Sequence, residues 1–104
     1  MPQYRQGDVY LIPVTSKGDD LRAVPRDAGR VILAYGEVTG HAHAILERDV
    51  VLWETPGGSR ILAVESEADL VHDEHDTIRL PPGLYEVRRQ REWTDADEPI
   101  EVAD

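Results

Sequence analysis

Apolar and polar residues alternate along most of this chain in short runs, and no stretch carries a long apolar stripe of helical period. Eight runs have the length and β-branched or aromatic character of strands. They are Asp8 to Val14, Arg30 to Tyr35, His41 to Leu46, Val50 to Glu54, Arg60 to Val64, Ala68 to Val71, Thr77 to Leu80 and Leu84 to Arg91. Between them lie residue types that turn a chain: Lys17-Gly18-Asp19-Asp20, Gly36 to Gly40, Pro56-Gly57-Gly58-Ser59, Asp73 to Asp76 and Pro81-Pro82-Gly83. The pattern predicts an all-β protein, a compact single-domain barrel or sandwich of about seven or eight short antiparallel strands, in which closure or a second sheet protects the edges. Residues Asp19 to Gly29 contain Pro25 and mix charge with small apolar groups, so they read as an extended excursion or at most one helical turn. The predicted β domain is residues 1–93. Residues 94–104, with Asp95, Asp97, Glu98, Glu101 and Asp104, read as an acidic, mobile tail.

Length and composition narrow this further. A chain of 104 residues with 40% hydrophobic content supports one core. With no Phe and one Met that core is small and aliphatic, and pairing into a homodimer is a natural way to bury more surface. The formal charge of -10 argues against nucleic acid or an anionic membrane as partner, since both would repel it, and favours cations as guests. The Arg88, Arg89 and Arg91 cluster is read first as pairing with the many carboxylates, and second as a phosphate or carboxylate holder. No run approaches the roughly 18 apolar residues of a membrane span, and Met1 to Arg5 lacks the apolar core of a secretory signal, so the expected location is the cytoplasm. Without cysteine there is neither disulfide nor thiolate ligand, and no thiol nucleophile.

The chemistry concentrates in the histidines. All four fall in two doublets, His41-Ala-His43 and His72-Asp-Glu-His75. Imidazole is the commonest protein metal ligand, and two doublets from different segments can meet at one ion. On a strand His41, His43, Ile45 and Glu47 share a face, with the two imidazoles roughly 7 Å apart. A spacing of three puts His72 and His75 on opposite faces of a straight strand, so both can bind only if Asp73-Glu74 turns the chain. The expected ligands are therefore His41, His43, His72 and His75, with Glu47, Glu74 or water able to complete the shell. The ion expected first is zinc, with iron, nickel, manganese or copper also suited to such a set. Neighbouring carboxylates are expected to raise the histidine pKa values and to weaken metal binding below about pH 6.

Gly36-Glu37-Val38-Thr39-Gly40-His41-Ala42-His43 followed by Glu47 resembles the first metal-binding motif of the cupin superfamily, a Gly, then HxH, then a Glu. The HxH-to-Glu gap fits, and the Gly-to-HxH gap is one residue short. Pro81-Pro82-Gly83 matches the turn of the second cupin motif, but Glu86 stands where that motif has its histidine, and His72 and His75 precede the turn instead. The resemblance implies a single-barrel metal protein with His41, His43 and Glu47 as ligands. The chain from Tyr4-Arg5-Gln6-Gly7-Asp8 to Arg88-Arg89-Gln90-Arg91-Glu92-Trp93 also looks like small proteins of bacteria and their phages.

Two functions compete. In the first, a divalent ion lowers the pKa of bound water and delivers hydroxide to a small-molecule substrate, by hydration of carbon dioxide or by hydrolysis, with Glu47 or Glu74 as proton acceptor and Thr39 orienting the nucleophile. In the second, the histidines clip segments together without catalysis, and Trp53, Trp93 and Tyr85 anchor a protein partner unless they serve the core. A serine-nucleophile elbow and a phosphate loop are both missing from the sequence.

Overall fold

The computed structural model describes residues 3–35 and 41–90. The Gly36 to Gly40 turn, Thr39, Arg91, Trp93 and the 94–104 tail of the sequence reading lie outside the described residues. Among the described residues there are ten strands: β1 (Tyr4–Gln6), β2 (Val9–Val14), β3 (Arg22–Ala23), β4 (Val31–Tyr35), β5 (Ala42–Ile45), β6 (Val50–Glu54), β7 (Arg60–Val64), β8 (Ala68–His72), β9 (His75–Leu80) and β10 (Gly83–Arg89). All eight expected strands are found, β6 and β7 with the expected ends. Two are additional. β1 and β3 are three and two residues long, too short to show a period of their own. Asp19 to Gly29 bends at Asp19-Asp20, holds β3 and ends in a turn at Ala28-Gly29 closed by the Asp27–Arg30 bridge, and the described residues contain no helix. Accordingly, no helix among the described residues is long and apolar enough to cross a membrane.

The strands form two antiparallel sheets, one ordered β1-β2-β10-β7-β6-β3 and the other β4-β5-β8-β9. They are not closed into a barrel; of the two expected architectures the chain adopts the open, two-sheet one. One continuous apolar cluster joins them. Val9, Leu11, Val50, Leu52, Leu62, Val64, Tyr85 and Val87 come from the first sheet, and Val31, Leu33, Ile45, Ala68, Leu70 and Leu80 from the second. Alternation accounts for the choice. Val50 and Leu52 point inward while Val51 and Trp53 stay partly exposed, and Ala68 and Leu70 point inward while Asp69 and Val71 do not. Tyr85 belongs to this core, its hydroxyl donating to Pro81 O at 2.7 Å, so it is no surface anchor. Trp53 is half-buried on the outer face, with the Lys17 ammonium 5.3 Å from its ring centre.

Side chains stitch the sheets where strands end. Arg60 donates to Leu33 O at 2.7 Å, and Arg26 donates to Glu47 O and Val50 O at 2.6 and 3.0 Å. At the other seam β1 and β9 are the outer strands of their sheets, and Gln6 of β1 joins them. Its amide donates to Leu70 O and to Asp76 O, each at 2.9 Å, where the β8–β9 register shifts.

Candidate metal centre

The two doublets meet because of strand register. Ala44 lies opposite Val71 and Ile45 opposite Leu70, so the ladder brings His43 beside His72, and their ring centres are 4.4 Å apart. The second doublet is a two-residue β-hairpin: Asp73 and Glu74 form the turn, and His72 and His75 are the closing pair, with ring centres 4.7 Å apart. A spacing of three that would oppose two residues on a straight strand thus aligns them on one face. His43 and His75 stack at 5.7 Å, and His41, just before β5, meets the His72 ring edge-on at 5.9 Å. The other three imidazoles gather around His72.

The cluster continues the inward face of the smaller sheet. His43 is two residues before core Ile45, and only 3% of it is exposed. The lid is the β1–β2 hairpin, whose turn is Gly7-Asp8 between the paired residues Gln6 and Val9. Gly7 has φ of 60°, and a Cβ there would lie 2.8 Å from His75 Nε2 and 3.3 Å from His43 Cε1, so backbone itself packs on the two rings.

Hydrogen bonds define the protonation of two rings. Gln6 is 2% exposed and spends its amide nitrogen on backbone carbonyls, which leaves Oε1 facing His43 Nδ1 at 2.8 Å. A carbonyl oxygen only accepts, so Nδ1 carries the proton and the neutral ring keeps its lone pair on Nε2. His72 has the opposite arrangement. The Glu74 N–H donates to its Nδ1 at 3.0 Å, so the neutral His72 carries hydrogen on Nε2. Either nitrogen binds a metal only if the turn bond is given up: Nδ1 directly, and Nε2 because moving its hydrogen to Nδ1 leaves two donors face to face. His41 Nδ1 is buried with no hydrogen-bond partner among the described residues, while its Nε2 is 3.3 Å from Asp73 Oδ2.

Burial, then repulsion from His72 and His75, pushes His43 down to about 4, against an upward pull from Asp8. His72 is also lowered, by burial and by His75 and His41, despite Asp73 and Glu74 nearby. The expectation that carboxylates raise these values is therefore corrected for both rings: desolvation and crowding by like groups outweigh the acids, whose side chains face water.

The carboxylates separate into near and far. Glu74 Oε2 is 3.9 Å from His41 Nδ1 at the exposed rim. Glu47 does not share the expected face with the histidines, because β5 ends at Ile45. Its Oε2 accepts the Asp69 N–H at 3.1 Å, on β8 three residues before His72 and so away from the rings. Asp8 escaped the sequence reading. Its Oδ1 is 3.8 Å from His43 Nε2, and its Oδ2 accepts from Arg89 Nε and Nη2 at 3.2 and 2.9 Å. Gly7-Asp8 between two short alternating runs was the available signal.

Imidazoles bound to one tetrahedral ion have ring centres roughly 5 Å apart, which the spacings here bracket. In the rotamers present, no three His, Asp or Glu side chains among the described residues form a ready chelate. The rings are gathered, but their nitrogens are not aimed at one point.

Residues 5–90 match the family model described as Domain of unknown function (DUF8820), and the chain belongs to that family. No curated protein and no solved structure matches it.

Proposed function

We propose that this member of the DUF8820 family binds a divalent transition metal, zinc first among the candidates, through His43, His72 and His75 with His41 beside them. The observation that carries the reading is the gathering of every histidine in the chain into one cluster, with neighbouring ring centres 4.4 to 5.9 Å apart. An ion that keeps one position open to water is supported by the rim, where His75 is exposed and the Glu74 carboxylate, the proton acceptor on this reading, lies 3.9 Å from His41 Nδ1. On this reading the ion supplies a hydroxide for hydration or hydrolysis of a small molecule.

Elemental analysis of the purified protein tests it, repeated on His41→Ala and His75→Ala. The expected result is a stoichiometric transition metal in the wild type and its loss or weakening in the variants. A metal-free wild type that also takes up none from added zinc, iron or manganese would sink the proposal.

A structural role is the second reading. It is favoured by the three segments that the cluster joins, β5, the β8–β9 hairpin and the Gly7-Asp8 turn. Chelation then lowers the melting temperature sharply and no exchangeable water is found, whereas an open position with exchangeable water supports the enzyme.

A further inference from the structure

The pairing of His43 Nε2 with Asp8 Oδ1 is unusual, because neither atom has a proton to offer the other. Gln6 holds the ring hydrogen on Nδ1, so Nε2 of the neutral ring presents a lone pair. Arg89 holds Oδ2, which leaves Oδ1 turned toward the cluster. The two acceptors face each other at 3.8 Å, beyond hydrogen-bonding distance, at the end of a ring that is almost wholly buried. Two facing lone pairs repel unless a cation lies between them. The gap suits a metal ion: at about 2.1 Å from each atom, the nitrogen–metal–oxygen angle is roughly 130°, and a shift of a few tenths of an ångström brings it to the tetrahedral value.

We propose that Asp8 is the oxygen ligand of the histidine-bound metal, and that Arg89 is the positioning residue that aims it. The inference rests on the metal-binding reading and deepens it. The ligand set becomes mixed nitrogen and oxygen, and the ion sits under the Gly7-Asp8 turn, where Gly7 already contacts His43 and His75. Such a set takes Zn, Fe(II) or Mn and discriminates against Cu(I), which prefers softer donors. It also places the N-terminal hairpin in the metal's shell, so that binding ties the outer strand β1 of one sheet to β5 and β8 of the other.

The test uses the full chain titrated with Co(II), whose visible absorption reports donor type and coordination number, with Zn(II) competition for affinity. Asp8→Asn keeps an oxygen for Arg89 but removes the charge, and Asp8→Glu keeps the charge. The expected result is about ten-fold or greater weakening and an altered Co(II) spectrum for Asp8→Asn, with part of the affinity recovered in Asp8→Glu. Arg89→Gln weakens binding less and leaves the spectral type unchanged. A wild-type spectrum and affinity in Asp8→Asn would overturn the inference while leaving a histidine-only site standing. Weakened binding in Asp8→Asn with an unchanged Co(II) spectral type, and the metal-free fold intact by circular dichroism, would also overturn it, because Asp8 is then outside the donor set. No Co(II) or Zn(II) binding by the wild type would remove the metal-binding reading and this inference together.

Discussion

Gln6 Oε1 accepts the Nδ1 hydrogen of His43 at 2.8 Å inside a seam where both residues are buried. The bond couples fold and site, since the same amide ties β1 to both β8 and β9 through Leu70 O and Asp76 O. Replacing Gln6 by Ala strands two carbonyls and one ring N–H. We expect a loss of about 2–4 kcal/mol in urea denaturation of the metal-free protein. Metal affinity should fall roughly ten- to a hundred-fold, because the ring loses the partner that orients it. An affinity unchanged in a folded Gln6→Ala protein would show that His43 needs no such orientation.

Acidification should destabilise the metal-free protein. His43 titrates near 6.5 when unfolded and at about 4 when folded, so between these values the unfolded chain binds more protons. The stabilisation is fully present above the unfolded value and is lost as pH falls toward 4, to a limit of about 3 kcal/mol for this ring. His72, lowered as well, acts in the same direction. Denaturation curves at about pH 7 and about pH 5 in wild type and His43→Asn measure it. The variant should lose less on acidification, and a parallel loss in both would contradict the prediction.

Gly7→Ala should act on the site through His75. The added Cβ would stand 2.8 Å from His75 Nε2, and the φ of 60° disfavours any side chain. A cost of about 1–2 kcal/mol is expected from the backbone conformation. Because the clash falls on the far end of an exposed side chain, His75 should swing away rather than unfold the hairpin. Imidazole NMR shifts of His75 should therefore move more than those of His41, together with weaker metal binding.

Glu47 and Glu74 should separate in their effects. Glu47→Gln removes a charge that accepts one backbone N–H from Asp69, and should leave metal affinity unchanged at a cost of about 1 kcal/mol or less. Glu74→Gln alters the rim next to His41 and should change the pH dependence of any hydrolytic or hydration activity. Equal losses of metal from both variants would show that Glu47 reaches the cluster.

Much of the strand layout was legible because burial on one face imposes a period of two, which Val50-Val51-Leu52-Trp53 and Ala68-Asp69-Leu70-Val71 display directly. Short edge strands carry no such period. Tyr4 to Gln6 is defined by pairing with Val9 to Leu11, and Arg22-Ala23 by pairing with Glu54 and Trp53, so neither stands out in the chain alone.

By itself the sequence determined an all-β chain and the two histidine doublets, since both are local: one follows from alternation, the other from spacing. Only the tertiary structure decided that the doublets meet, through the register that sets His43 beside His72 and the hairpin that pairs His72 with His75. It also decided which carboxylates matter. Glu47 shares a nominal strand face with His43 yet ends on the Asp69 backbone, whereas Asp8 lies far away in sequence and faces the His43 ring. The physical reason is that side-chain period survives only while the strand does, and contacts between turns and sheets depend on packing that no local pattern encodes.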